Sequence, residues 1–278
     1  MARETRCRPG AVPRQFGEFP LGEEQRIFFE GQFAMRTGSG HAFHYQPGAG
    51  VTVESSSEAD PAESALWLSG SVYAAVAVLN GFYPVHASAV AHNGQVHAFT
   101  GPSGAGKSTL VAGLGQRGLP LFCDDTMLLD LSDPARIIAL PGHKRLKLTN
   151  EALALTGAAE QEPVGSDTGK SYALSRAGTA VQPLPLARLA FLEAGATCAV
   201  EPITGGERLL RLDDDHYTLA YYLEARQPRR EELFKLRTRL AQQLDMARLI
   251  RPMDRGRFAE SLDLAERLVR GNGQGVTG

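Results

Sequence analysis

Cysteine is scarce in this chain of 278 residues: Cys7, Cys123 and Cys198 are odd in number and far apart. They exclude a disulfide framework and match no zinc, haem or paired-thiol spacing, so a reducing cytoplasm is the expected setting. An excess of one charge sign is lacking too. With 29 Lys and Arg against 31 Asp and Glu, the formal net charge is -2, and no nucleic-acid partner is expected. Residues 1–22 have arginines and prolines but no apolar core, so no export signal is read there. Long uninterrupted apolar runs are missing as well. The nearest to one, 65–85, is broken by Ser69, Gly70, Ser71, Asn80 and Gly81 and has no basic flank, so it reads as a buried helix and no membrane partner is expected.

What is present is an ordinary apolar content of 43%, enough for a real core. Short runs at 26–35, 42–46 and 51–55, separated by glycine-rich turns, suggest a small β-rich N-terminal subdomain over 1–62. A helix is expected over 63–80, closed by Gly81. From there to 270 the pattern is that of an α/β core. It reads as a strand at 85–91, a turn at Asn93-Gly94, a strand at 95–100, a glycine loop and a helix at 107–117. Further strands are expected at 119–123, 127–131, 137–140, 186–192 and 198–202, and helices at 215–223, 229–244 and 258–269. The stretch 157–178 has little periodicity and reads as a mobile loop around one short strand at 172–174. Residues 271–278 read as a flexible tail. The run Asp213-Asp214-Asp215 reads as a solvated helix cap, and His92 and His97 have no metal-ligand companions at suitable spacing.

The loop Gly101-Pro102-Ser103-Gly104-Ala105-Gly106-Lys107-Ser108, followed by Thr109, has the G-x-x-x-x-G-K-S pattern between a strand and a helix. Its glycines can adopt backbone angles closed to other residues, so successive amides can turn inward around phosphate oxygens. The helix that follows adds its positive end, Lys107 a charge for the outer phosphates and Ser108 a hydroxyl for Mg²⁺. A bound nucleoside triphosphate is therefore expected. Asp124 and Asp125 follow the apolar run of the next strand, where one carboxylate can hold the metal and the other accept a hydroxyl proton, unless they are only a solvated turn. His86, in the strand before the glycine loop, reads either as a core histidine or as a group acting on phosphate.

Taken together, His86, the loop 101–108 and the pair Asp124-Asp125 resemble the core of HPr kinase/phosphorylase and its related serine kinases. The resemblance is strongest over 84–131 and weaker through Pro141-Gly142-His143-Lys144-Arg145-Leu146-Lys147-Leu148 and Lys170. It implies a P-loop core of the HPr kinase and phosphoenolpyruvate carboxykinase type, acting with ATP and Mg²⁺ on a serine hydroxyl. Asp124 would be the general base, Lys107 would stabilise the transferred phosphoryl group, and His86 would lie beside the phosphate. Ser108 and Asp125 would serve the metal. The glycine-rich signature loop of HPr kinase proper is not found, and the chain looks closer to the short kinases of lasso-peptide biosynthesis. These phosphorylate a ribosomal precursor peptide, for which Arg145, Lys147 and Lys170 are candidate contacts. Two other readings stay open, a small-molecule kinase similar to adenylylsulfate kinase and a non-catalytic ATP-sensing module. The sequence also leaves a homo-oligomer open.

Overall fold

The computed structural model describes residues 1, 3–165, 168–213 and 217–271. The tail expected over 271–278 lies outside them except for Gly271, and of the acidic run only Asp213 is included, paired with Arg237 at 2.5 Å. The chain is mixed α/β.

The N-terminal strands are β1 (Cys7–Pro9), β2 (Gln15–Phe16), β3 (Phe19–Pro20), β4 (Arg26–Phe29), β5 (Gln32–Arg36), β6 (His41–Gln46) and β7 (Gly50–Ser55). Among the described residues, five of them form one sheet in the order β1-β7-β6-β5-β4. The run expected at 26–35 is in fact a hairpin. Glu30 and Gly31 both have positive φ, 47° and 75°, the handedness that a tight turn between twisted strands requires.

A helical stretch then runs through α1 (Pro61–Trp67), a π turn (Leu68–Val72) and α2 (Tyr73–Leu79). The Asp60 carboxylate caps its start by accepting from the Ala62 amide. By length and composition, residues 61–79 could cross a membrane, with a mean hydropathy of 1.4. In the fold, Val72, Ala75 and Val76 instead pack on Phe33, Phe43 and Tyr45 of the small sheet.

The larger unit follows. Its strands are β8 (Tyr83–His92), β9 (Gln95–Thr100), β10 (Leu121–Cys123), β11 (Thr126–Asp130), β12 (Ile138–Leu140), β13 (Leu146–Thr149), β14 (Glu160–Pro163), β15 (Lys170–Ala173), β16 (Leu184–Ala194), β17 (Ala199–Pro202) and β18 (Asp245–Arg251). Its helices are α3 (Lys107–Gln116), α4 (Asn150–Thr156), α5 (Glu207–Arg211), α6 (Tyr217–Arg226), α7 (Arg230–Gln243) and α8 (Phe258–Arg270). Among the described residues an eight-stranded sheet runs β10-β8-β11-β12-β16-β18-β17, with β9 bonded to both β8 and β16. Strands β9, β16 and β18 are mutually parallel, so their carboxyl ends share one edge. That edge is where open α/β sheets bind ligands.

Period-two alternation gives the sheet two buried faces. In β16, Leu189 and Phe191 enter one core with Leu240 and Leu244, whereas Ala190 and Leu192 enter the other with Leu110, Leu114, Phe258 and Leu262. The glycine-loop helix is thus held by the second core.

Two expectations are corrected. The stretch 157–178 contains two strands, β14 and β15, which join β13 in a small antiparallel sheet. Its apolar alternation is faint because Glu160, Glu162 and Lys170 lie on exposed positions. Strand β18 was not foreseen, since Arg248 and Arg251 interrupt its apolar pattern. Arg248 is neutralised by Glu201 and Glu207, which lets a charged residue sit in this strand.

His97 on β9 gives the fold a pH signature. Burial pushes its imidazole down to about 4, with Arg188 and His92 adding to the effect. The folded chain keeps His97 neutral, while the unfolded chain protonates it below about 6.5. Because the unfolded state then binds more protons, stability is expected to fall as pH drops from about 6.5 towards the folded value. Thermal unfolding of His97→Asn should show a flatter pH dependence across that window. An unchanged slope would contradict this account.

Candidate active site

The glycine loop leaves β9 at Thr100 and enters α3 at Lys107. Gly101 has φ 142° and a Cβ there would come within 3.0 Å of the Leu192 carbonyl oxygen, so the loop starts flush against β16. Gly104 and Gly106, at φ 82° and 79°, supply the left-handed turns that a ring of inward amides needs. Lys107 is buried, and its Nζ donates to the carbonyl oxygens of Gly101 at 2.8 Å and Pro102 at 3.1 Å. Burial lowers its ammonium pKa, against the pull of Asp124 and Asp125.

The acidic pair was expected at a strand end. It follows the last residue of β10 and fills the two-residue gap before β11, and both strands pair with β8, Cys123 opposite Ala89 and Thr126 opposite His86. Asp125 has φ 75°, an unusual and strained angle for a residue with a side chain. The Asp125 carbonyl still accepts from the Ala87 amide, which ties this gap to β8.

Asp124 is buried and heavily bonded. Its Oδ1 accepts the hydroxyls of Ser88 at 2.6 Å and Ser108 at 2.7 Å, and its Oδ2 accepts the Lys147 amide at 3.0 Å. Asp125 meets the Lys147 ammonium at 3.0 Å and the His86 ring at 3.3 Å. Burial would raise the Asp125 carboxyl, but the His86 and Lys147 contacts outweigh it and hold the group well below the usual carboxylate range. His86 Nδ1 also lies 2.9 Å from the Asp125 carbonyl. Both neighbours are acceptors, so this nitrogen carries the proton.

Lys147 reaches the pair because of what flanks it. Gly142 lets the chain pass close to the acidic pair, since a Cβ there would lie 2.7 Å from Cys123 Cβ and 2.9 Å from the Thr126 carbonyl. Leu146 and Leu148 anchor β13 in the core, so Lys147 and Thr149 must face the other way. Lys170 lies opposite Thr149 on β15.

A cleft of about 280 Å³ joins these groups, lined by His86, Ser103, Gly104, Gly106, Lys107, Ser108, Thr109, Asp124, Asp125, Lys147 and Lys170, with Ser88 and Thr149 added. Arg145 is not among the lining residues; it pairs with Glu162 and stacks over the Tyr172 ring at 3.9 Å. Ser88 received no role from the sequence. Its signal was the spacing His86-x-Ser88, two polar residues on one face of a strand whose other face, Ala87 and Ala89, is core.

Among the described residues no cluster of three or more His, Cys, Asp or Glu could enclose a metal unaided. The hydroxyl of Ser108 and the two carboxylates are hard oxygen donors. They fit Mg²⁺, which is held by one or two carboxylates together with substrate phosphates.

No family model matches the chain, and no curated protein does. Among solved structures, the HPr(Ser) kinase/phosphatase from Coxiella burnetii is similar over 68% of this chain and 99% of that one, at 12% identity and a TM-score of 0.34. So distant a likeness carries nothing about the chemistry of this site, which rests on its own geometry.

Proposed function

We propose that this protein is an ATP-dependent kinase that transfers the terminal phosphoryl group to a serine hydroxyl of a peptide or protein. The observation that carries the reading is the shared oxygen of Asp124, which accepts the hydroxyl of the glycine-loop Ser108 and that of Ser88. It is a carboxylate oxygen already aligned for hydroxyl protons, beside a phosphate nest.

In the reaction, the acceptor oxygen forms a bond to the terminal phosphorus while the bond to the bridging oxygen of the departing diphosphate breaks. Asp124 Oδ1 takes the acceptor proton, using a lone pair freed when the Ser108 hydroxyl turns towards the phosphates. Lys107 balances the charge on the transferred group, and His86 orients the Asp125 carboxylate. Mg²⁺, when bound, neutralises phosphate charge; Ser108 and Asp125 would hold it. Lys147 and Lys170, on the small sheet beside the cleft, favour an acidic acceptor segment. The resemblance extends the acceptor to a ribosomal precursor peptide of the lasso type, and a cytoplasmic setting belongs to the same proposal.

Incubation with ATP, Mg²⁺ and serine-containing acidic peptides is expected to yield phosphoserine peptide, and chelation of Mg²⁺ to stop it. ATP binding with no phosphorylated product from any peptide would overturn the kinase reading.

A further inference from the structure

Arg251 ends β18, the strand the sequence did not reveal, and lies opposite Ala194 of β16. It is 5% exposed. Its Nη2 donates to the Ala105 carbonyl of the glycine loop, and its Nε is buried with no partner. Among the described residues no carboxylate supports its charge, and burial lowers its pKa with only Cys198 opposing. A buried guanidinium without a counter-ion is costly, because desolvation is not offset by an opposite charge. The contact is also close enough to constrain the loop: a Cβ on Gly106 would collide with Arg251 Nη2.

Across a trans peptide, the carbonyl and the next amide point in opposite directions. The peptides here are all trans among the described residues. Holding the Ala105 carbonyl towards β18 therefore turns the Gly106 amide the other way, into the nest. Without that hold, the Ala105–Gly106 peptide could flip and present an oxygen to the phosphates.

We propose that Arg251 is a positioning residue for the phosphate nest, which locks the Ala105–Gly106 peptide and supplies a buried positive charge that a bound polyphosphate balances. The inference rests on the triphosphate reading above and adds a residue from a distant strand to it. It predicts selectivity for ligands with two or more linked phosphates.

The test measures binding of ATP, ADP and adenosine to the full chain, native and Arg251→Ala. The variant is expected to bind ATP and ADP about tenfold more weakly, the scale of a lost charged hydrogen bond, and adenosine as the native chain does. Millimolar guanidinium should restore much of the loss by filling the space left, a recovery that general loosening of the fold would not give. Should Arg251→Ala fail to fold, Arg251→Lys is expected to fold and to show a smaller loss confined to the phosphorylated ligands. Native-like ATP affinity in the variant that folds overturns the inference. So does a loss shared equally by adenosine, or one that guanidinium leaves untouched in Arg251→Ala. Failure of the native chain itself to bind ATP would instead sink the nucleotide reading, and this inference with it.

Discussion

Asp124→Asn is expected to lower phosphoryl transfer by about 10²- to 10⁴-fold while leaving the fold intact. The amide can keep its oxygen on the Lys147 amide and turn its NH₂ to Ser88 and Ser108, whose hydroxyls can accept as well as donate. The local hydrogen bonds survive, but the group no longer accepts a proton. Single-turnover rates with ATP and peptide, set beside thermal unfolding, separate the two effects. An unchanged rate would show that Asp124 is not the base and would move that role to Asp125. Asp125→Asn then becomes the informative variant, because asparagine tolerates the positive φ of that position.

Lys107→Met should be comparably severe, with transfer reduced on the order of 10³-fold and ATP binding weakened. Methionine fills the buried path of the lysine stem and removes only the charge and its donors. In the native chain the ammonium is held by the carbonyl oxygens of Gly101 and Pro102, inside the loop and close to where phosphate would lie. Binding partly dehydrates it, so a polyphosphate gains a strong contact, and losing it should raise both KM for ATP and the barrier. Near-native kcat with a raised KM alone would limit Lys107 to binding.

Much of the site was legible because its chemistry is local. Gly101 to Ser108 specify their own backbone angles, and the strand before and the helix after follow from apolar periodicity, so β9 and α3 lie where the sequence puts them. Asp124 and Asp125 were legible as acids just past a strand, but not as a gap between two strands that share one neighbour. That arrangement depends on β8 continuing beside both strands, and pairing partners lie dozens of residues away. Ser88 was hidden for the same reason: a serine in an apolar strand has no meaning until an acid faces it.

The sequence by itself determined a glycine loop between a strand and a helix, its lysine and hydroxyl, and two acids just past the next strand, because these depend on residue type and short spacing. Only the tertiary structure decided which oxygen meets which hydroxyl, that Lys147 rather than Arg145 enters the cleft, and that Arg251 supports the loop. Those facts follow from parallel strands ending at one edge and from apolar neighbours fixing which way a side chain faces. Both are set by long-range packing, which no local pattern encodes.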